Sequence, residues 1–223
     1  MDRYFEAFED RTPPKPLPYN PWREALWQFL STLTLVIGAW YLWWRWTESL
    51  NPDAMVFSVV LVVAETMAYI GLIFFVYNLW SDQPVEVPDA PATVGDIDPD
   101  APEPNRPIMV DVMFTTYDED PELVRLGLRD AKMLDYPHKI EVRLQVLDDG
   151  KRPAMRAVAE QEGAGYITRT GNEGFKAGNL RNAMEQTSGD LLVICDADTR
   201  PLPTMLLRTL GYFSDPKMAR VQT

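Results

Sequence analysis

Cysteine is almost absent from this sequence of 223 residues, which contains only Cys195. A single cysteine excludes an internal disulfide and fits a reducing compartment. Basic residues are also scarce, since 21 Lys and Arg stand against 33 Asp and Glu, for a formal charge of -12. Nucleic-acid binding needs clustered Lys and Arg to neutralise phosphates, and no such cluster is present. We therefore expect no nucleic-acid partner, and we expect a metal ion to meet any ligand phosphates.

Formal charge is absent from Ala25 to Trp44, a run of 20 residues. This length is enough to cross a hydrocarbon core of roughly 30 Å, and aromatic residues cluster towards both ends of the run. The preceding segment is acidic and no small-residue cleavage site follows, which disfavours a signal peptide. A second apolar stretch, Ala54 to Trp80, contains one charged residue, Glu65. The sequence thus predicts two transmembrane helices within residues 25–80.

Glu65 lies near the middle of the second stretch, where a charge is costly unless it faces protein or water. One interpretation is a functional role. The other, which we favour because no second charged partner is apparent in the two helices, is a protonated or interhelically hydrogen-bonded glutamate that fixes their packing. For orientation, four basic residues precede the first helix, whereas the short connection holds only Arg45. The positive-inside rule then places both ends of the pair in the cytoplasm.

Large hydrophobic residues are scarce in residues 81–107, which follow the second stretch. This segment carries seven prolines, seven acidic residues and no aromatic side chain. Such a composition predicts an irregular tether or a strap across a domain surface. An acidic interaction segment is the alternative, although the pattern identifies no partner.

From Ile108 onwards, short β-rich runs alternate with helical stretches, the pattern of a parallel sheet covered by helices. The predicted strands are Met109 to Thr115, Val142 to Leu147, Gly165 to Thr168, Leu191 to Cys195 and Ala219 to Gln222. Helices are predicted between them, one opened by Pro121 behind Asp118 and Asp120, and others at Lys176 to Glu185 and Pro203 to Phe213. The fold class is therefore α/β, and right-handed crossovers place functional groups at the carboxyl ends of the strands.

Four polar clusters follow the predicted strands. They are Thr115 to Glu119, Asp148 to Gly150, the loop before Lys176 to Asn179, and Asp196 to Asp198. Any one of them alone could be an ordinary helix cap or loop. Because the carboxyl ends of parallel strands share one edge, the four together predict a site at that edge.

The last cluster has the spacing of a metal site. Asp196 and Asp198 are two residues apart at the end of an apolar run, so in an extended chain both carboxylates project to the same side. Such a pair can hold a hard divalent cation that also binds phosphate oxygens and neutralises a departing diphosphate. The alternative is two solvated acids at the end of a strand.

Lys176 opens a predicted helix after the glycine-bearing segment Gly171 to Gly174. Helix-start amides and an ammonium group could therefore both meet a diphosphate. A nucleoside-triphosphate P-loop is excluded, because Ala177 stands where that motif needs Ser or Thr and the glycine spacing is absent. A dinucleotide fingerprint is excluded too, since Gly-x-Gly-x-x-Gly does not follow the first strand.

The motif series is specific. Thr-Tyr-Asp-Glu, Val-Leu-Asp-Asp-Gly-Lys-Arg-Pro, Lys-Ala-Gly-Asn-Leu-Arg-Asn-Ala and Asp-Ala-Asp, behind two membrane helices, resemble bacterial cellulose synthase catalytic subunits and related processive family 2 glycosyltransferases. The match covers about residues 108–223. It implies a Rossmann-like GT-A domain, a UDP-sugar donor with Mg²⁺ or Mn²⁺, inversion at the anomeric carbon, and polymer extrusion through the bacterial inner membrane.

The resemblance also implies roles for individual residues. Thr116, Tyr117 and Glu119 would lie at the uridine, either Asp148 or Asp149 would contact the base or ribose, and Lys176 would contact the diphosphate. Asp196 and Asp198 would form the metal-binding pair. Asp118 replaces the Asn that is more usual in the first motif. The implied partners are the UDP-sugar donor, the growing polysaccharide, the lipid bilayer and accessory synthase subunits.

The predicted organisation is a cytosolic segment 1–24, transmembrane helices within 25–80, a linker 81–107, and the nucleotide-sugar part of a GT-A domain at 108–223. The Thr-Glu-Asp segment that carries the family's general base and its acceptor-binding Gln-x-x-Arg-Trp segment do not occur. We therefore expect the base beyond Thr223 and no sugar transfer by residues 1–223 alone. The expected activity is β-glucan synthesis from UDP-glucose, with a UDP-N-acetylglucosamine synthase or a non-catalytic nucleotide-sugar sensor as alternatives.

Overall fold

The computed structural model describes residues 9–12, 17–81 and 86–222. The chain divides into two compact units. One comprises residues 15–86, and the other combines residues 1–14 with residues 87–223. Each unit is described by itself.

The first unit is a helical hairpin. Helix α1 spans Pro21–Thr47, and its start is capped by Asn20, whose side chain accepts hydrogen bonds from the first-turn amides. After a 3₁₀ turn at Pro52–Ala54, helix α2 spans Met55–Asn78. Both helices are long enough and apolar enough to cross a membrane by length and composition. The predicted pair of helices is therefore present.

Polar side chains join the two helices along their length. Near the start of α1, the Trp27 indole donates to the carbonyl of Leu79 at 2.9 Å. Further along, the Tyr69 hydroxyl donates to the Leu35 carbonyl at 2.6 Å. Gly38 makes this approach possible, since a Cβ there would lie 2.6 Å from the Tyr69 ring. The two helices thus pack as an antiparallel pair.

Glu65 has a charged partner, so the interpretation that the two helices lack one is wrong. The Arg45 guanidinium bonds the Glu65 carboxylate at 2.8 Å from Nε and 3.3 Å from Nη2. The reason is that α1 continues beyond Trp44 to Thr47, which puts Arg45 in its last turn rather than in the connection. A paired glutamate fits the packing role that the sequence favoured.

We expect the Arg45 and Glu65 side chains to be energetically coupled. Glu65→Gln, Arg45→Gln and the double variant should give a coupling energy of about 1 kcal/mol in thermal unfolding in detergent, because each single change leaves the other group poorly paired. Glu48→Gln, at an exposed position just after α1, is the matched control and should leave the unfolding temperature unchanged. Strictly additive single variants would contradict a stabilising pair.

The second unit is built on a parallel sheet. In the described residues its strand order is β3-β2-β1-β4, with every neighbouring pair parallel. The strands are β1 at Met109–Thr116, β2 at Glu141–Asp148, β3 at Gly165–Ile167 and β4 at Leu191–Asp196. The helices are α3 at Pro121–Ala131, α4 at Pro153–Gln161, α5 at Phe175–Met184 and α6 at Met205–Thr209. The predicted α/β class is confirmed.

Strand β1 lies between β2 and β4, and side chains cover both of its faces. Val112 and Phe114 pack with the apolar faces of α3 and α4, whereas Met113 packs on the other side with Leu147 and Ala183. All of these residues are buried. A parallel sheet needs cover on both faces, which the alternation of strands and helices along the chain supplies.

Residues 87–107, here named the strap, belong to this unit and are irregular apart from one short turn, whereas residues 82–85 of the predicted linker lie outside the described residues. A 3₁₀ turn at Val94–Asp96 closes with a capping box, and Val94 is buried in the core of the sheet domain. The strap is tied at its end by Arg106, whose Nη1 lies 2.7 Å from the Asp190 carboxylate. A few apolar residues therefore suffice to dock a segment that is otherwise polar.

Two sequence predictions near the end of the described chain are corrected. Residues 219–222 form no strand, because no described strand bonds to them and their side chains are largely exposed. The helix predicted from Pro203 to Phe213 is shorter, with α6 followed by a 3₁₀ turn at Leu210–Ser214. Alternating apolar residues supply a strand pattern but not the hydrogen-bonding partner that a strand needs.

Candidate functional site

The carboxyl ends of three strands meet at one edge of the sheet. In the strand register, Thr116 at the end of β1 is opposite Asp148 at the end of β2. On the other side of β1, Thr115 is opposite Asp196 at the end of β4. The polar clusters that follow these strands therefore share one edge, as the alternation of strands and helices predicted.

A cavity of about 610 Å³ opens at this edge, a size typical of small-molecule sites. Seven of the eight residues predicted for the site line it: Thr116, Tyr117, Glu119, Asp149, Lys176, Asp196 and Asp198. The eighth, Asp148, does not. The sequence reasoning missed further lining residues, among them Leu123, Asn172, Phe175 and Asn179.

Asp196 is the last residue of β4 and Asp198 lies in the turn that follows, so the extended chain that the sequence predicted ends before Asp198. Cys195 and Ala197 are buried, whereas Asp196 and Asp198 are exposed and line the cavity. No group of three or more His, Cys, Asp or Glu among residues 9–12, 17–81 and 86–222 could hold a metal ion by itself. Two carboxylates facing an open cavity fit a cation of the Mg²⁺ class, which is bound through one or two carboxylates plus substrate phosphates.

Lys176 lies in the first turn of α5, and its ammonium group contacts the Asp196 carboxylate. Both side chains are substantially exposed to the cavity, so this ion pair is open to exchange with ligand charge. The close packing of α5 against its preceding loop depends on Gly178, where a Cβ would lie 2.0 Å from the Glu173 carbonyl oxygen. The glycine of the Lys-Ala-Gly-Asn motif thus holds Lys176 at the cavity.

Asp148 is completely buried and bonded on all sides. Its carboxylate accepts hydrogen bonds from the Gly150 amide at 3.0 Å, the Arg152 amide at 2.7 Å and the Tyr166 hydroxyl at 2.8 Å. The pKa of Tyr166 is raised to about 12, mainly by burial and secondly by the hydrogen bond to this carboxylate. Asp148 therefore organises the turn after β2 and is not available to a ligand.

Asp149 lines the cavity and is held by a bidentate ion pair. Arg169 Nε and Nη2 each lie 2.7 Å from one of its carboxylate oxygens. The same guanidinium donates to the Phe175 carbonyl at 2.9 Å, which ties the turn after β2 to the start of α5. Hydrogen bonding to Asp149 raises the pKa of Arg169 further above its usual range. Sequence reasoning missed Arg169, because an arginine in a loop carries no signal of its bonding partner.

The first polar cluster is fixed by internal hydrogen bonds. The Glu119 carboxylate accepts from the Thr116 hydroxyl at 2.7 Å and from the Tyr117 amide at 2.8 Å. Partial burial opposes ionisation, but these bonds outweigh it and lower the pKa of Glu119. Arg152 Nη2 also donates to the Thr116 hydroxyl at 2.7 Å. The exposed ring of Tyr117 is thereby presented to the cavity on a rigid turn.

Two of the missed lining residues have unusual local structure. Asn179 is 2% exposed, its amide nitrogen donates to the Leu147 carbonyl at 3.0 Å, and its Oδ1 has no hydrogen-bond partner among the described residues. Phe175 is 78% exposed and has a φ of 46°, a left-handed conformation that is costly for a bulky residue. Strained backbone of this kind is concentrated at ligand-binding sites.

Cys195, near the end of β4 and directly before Asp196, is a packing residue. Its side chain is buried in the core cluster of the sheet domain. The pKa of the thiol is raised to about 11, mainly by burial and secondly by the neighbouring charge of Asp196. The thiol therefore stays protonated at neutral pH and is a poor nucleophile.

A carboxylate pair, a lysine at a helix start and a polar turn thus line one cavity at the carboxyl edge of a parallel α/β sheet. The family model of glycosyl transferase family 2 matches residues 111–222. The chain belongs to this family, and the predicted glycosyltransferase fold class is confirmed.

Within the family, the chain is similar to bacterial cellulose synthases. It is 36% identical over 199 residues to cellulose synthase 1 of Komagataeibacter xylinus, which is 87% of this chain and 12% of that protein. It is also 36% identical over 201 residues to the UDP-forming cellulose synthase catalytic subunit of Pseudomonas fluorescens, again 87% of this chain but 25% of the relative. The chain thus spans a quarter or less of the length of these relatives.

Among solved structures, the chain resembles a mannosyltransferase of Pyrobaculum calidifontis that was determined with GDP-mannose and Mn²⁺. The TM-score is 0.49 at 23% identity, over 69% of this chain and 43% of the other.

Proposed function

We propose that this chain is the donor-binding part of a membrane-anchored polysaccharide synthase that transfers glucose from UDP-glucose to a growing β-glucan with inversion. The observation that carries the proposal is the convergence of seven predicted site residues, from four separate chain segments, on one cavity. The names of the relatives, cellulose synthase and its UDP-forming catalytic subunit, favour glucose as the sugar and UDP as the product.

In this proposal different cavity residues bind different parts of the UDP-sugar donor. Tyr117 and Asp149 lie at the uridine, because the first presents an exposed ring and the second an oriented carboxylate. Thr116 and Glu119 act there by fixing the turn that carries Tyr117. Lys176 and the first-turn amides of α5 lie at the diphosphate, where a cation and a helix start both favour negative charge.

Asp196 and Asp198 would hold Mg²⁺ or Mn²⁺ with the diphosphate oxygens completing the ligand set. When bound, the ion would neutralise the charge that develops on the departing diphosphate. In the transfer, the acceptor hydroxyl forms a bond to the anomeric carbon as the bond from that carbon to the β-phosphate oxygen breaks. The electron pair leaves with UDP, and the hydroxyl proton passes to a general base that the proposal places outside the described residues.

We also propose that α1 and α2 cross the bacterial inner membrane and that the segments on either side of the pair face the cytoplasm. Residues 9–12, ahead of α1, and the domain after α2 belong to one compact unit, which supports their lying on the same side of a membrane. The larger number of basic residues before α1 supports the cytoplasmic side. The bilayer and the growing polysaccharide are the proposed partners, and accessory synthase subunits follow from the resemblance alone.

Membranes that contain the full-length synthase, of which the proposal makes this chain a part, should make a labelled polymer from radioactive UDP-glucose in the presence of Mg²⁺ or Mn²⁺. We expect no polymer when EDTA replaces the metal, and none from UDP-N-acetylglucosamine. Polymer from UDP-N-acetylglucosamine instead would change the proposed sugar. Binding of both donors without a product from either would show a nucleotide-sugar sensor and overturn the proposed transfer.

A further inference from the structure

A short segment near the start of the chain contacts the sheet domain behind the proposed metal site. This segment, residues 9–12, is here named the N-terminal clamp. Arg11 Nη2 donates to the carbonyls of Arg200 and Pro201, both at 3.0 Å, and lies 3.1 Å from the Asp130 carboxylate. About 190 residues separate Arg11 from Arg200 and Pro201 along the chain. The proximity is therefore a property of the tertiary structure alone.

Charged groups of both signs meet at this contact. The Arg200 guanidinium donates to the Glu9 carboxylate and, from Nε at 2.6 Å, to the carboxylate of Asp130 on α3. The hydrogen bonds to Glu9 and Asp130 raise the pKa of Arg200, and the bond to Arg200 lowers the pKa of Glu9. Two arginines and two carboxylates thus balance each other, with Asp130 largely buried between them.

The clamp acts on the segment that follows Asp196 and Asp198. Thr199 ties this segment back to β4, because its amide donates to the Asp196 carbonyl at 3.0 Å and its hydroxyl accepts from the Asp196 amide at 3.1 Å. Behind it, Gly127 of α3 allows close approach, since a Cβ there would lie 2.6 Å from the Thr199 carbonyl oxygen. Residues 196–201 are therefore held between α3 and the clamp.

We propose that Glu9 and Arg11 are positioning residues for the metal-binding pair: the clamp holds residues 199–201 and thereby orients Asp196 and Asp198 towards the cavity. This inference rests on the proposed function, in which that pair binds the cation. A metal site loses affinity when the groups that orient its ligands are removed, even though those groups do not touch the ion. Residues 9–12 then support the donor site without lining it.

The test is a measurement of Mn²⁺ binding by electron paramagnetic resonance, on the detergent-purified protein in the presence of UDP. Arg11→Ala and Glu9→Gln should each raise the Kd for Mn²⁺ by about three- to tenfold. Arg11→Lys should fall between these variants and the wild type, because a single ammonium keeps the charge but not the planar fork that reaches several acceptors. Asp10→Asn is the matched control and should bind Mn²⁺ as the wild type does, since among the described residues Asp10 bonds only to its neighbour Thr12.

Two further measurements separate positioning from folding. UDP affinity in EDTA should be unchanged in Arg11→Ala, because the clamp does not line the cavity. Hydrogen exchange at the Thr199 amide should be faster in that variant, whereas exchange in β1 should be unchanged.

The outcomes are distinguishable from those for the function as a whole. If Arg11→Ala and Glu9→Gln bind Mn²⁺ as tightly as the wild type does, the positioning role is overturned and the proposed function remains intact. Loss of UDP binding in EDTA or faster exchange in β1 would also overturn it, because the clamp would then be a general stabilising contact. Failure of the wild type itself to bind Mn²⁺ with UDP would overturn the proposed metal site, and the inference with it.

Discussion

Asp196→Asn is expected to lower metal-dependent polymer synthesis by at least about a hundredfold. The change keeps the size of the side chain and removes one of two carboxylates that face the cavity, leaving a weak amide ligand beside Asp198. The measurement is incorporation of labelled glucose by membranes that contain equal amounts of the full-length wild-type and variant synthase. Mn²⁺ binding in the presence of UDP should be lost in parallel.

The matched control for this experiment is Asp118→Asn. Asp118 is an exposed acid on the turn after β1, but it does not line the cavity, and the same carboxylate-to-amide change there should leave activity near the wild-type level. A second readout follows from the ion pair between Lys176 and Asp196. UDP affinity in EDTA should be retained or increased in Asp196→Asn, because the ammonium group is released for the diphosphate. Full activity of Asp196→Asn would refute the assignment of the metal pair.

Asp148→Asn is expected to lower the free energy of unfolding by about 3 kcal/mol. The fully buried carboxylate accepts hydrogen bonds from two backbone amides, from the Arg152 guanidinium and from the Tyr166 hydroxyl. An amide in its place turns one acceptor into a donor that faces other donors, and it leaves the arginine without a counter-charge. Thermal or denaturant unfolding of the purified protein measures the loss.

Asp149→Asn provides the comparison at the neighbouring position. It should weaken UDP binding by about tenfold, since a cavity-lining carboxylate that can accept a ligand hydrogen bond is lost. It should also cost some stability, because Arg169 loses a bidentate partner. Below its unfolding temperature, Asp148→Asn should bind UDP as the wild type does. The reverse result, with UDP binding lost only in Asp148→Asn, would exchange the roles of the two aspartates.

The choice between these aspartates shows where sequence reasoning reached its limit. Both belong to one motif and follow the same strand, so the residue types alone do not separate a structural carboxylate from a ligand-facing one. Tertiary contacts do separate them, because Tyr166 of β3 meets Asp148 whereas Arg169, two residues after that strand, turns Asp149 towards the cavity. Pairing partners that lie 18 and 20 residues away leave no periodic signal in the sequence.

Local patterns were sufficient where local chemistry decides the structure. The charge-free run and the second apolar stretch predicted α1 and α2. The first helix extends three residues past Trp44, which brings Arg45 to Glu65. The first four strands matched to within one residue at each end. Hydrophobic periodicity failed at residues 219–222, where the pattern had no described strand to pair with, and it made the helix predicted from Pro203 to Phe213 too long.

By itself, the sequence determined the helical hairpin, the parallel α/β domain, the family, and the edge of the sheet at which the polar clusters meet. These features depend on periodicity, helix caps and strand order, which are encoded in neighbouring residues. Only the tertiary structure decided that Asp148 is buried, that Arg169 orients Asp149, that Glu65 is paired, and that residues 9–12 clamp the segment after Asp198. Each of these depends on distant groups brought together by folding, because a charged side chain is directed by its partner and not by its neighbours in the chain.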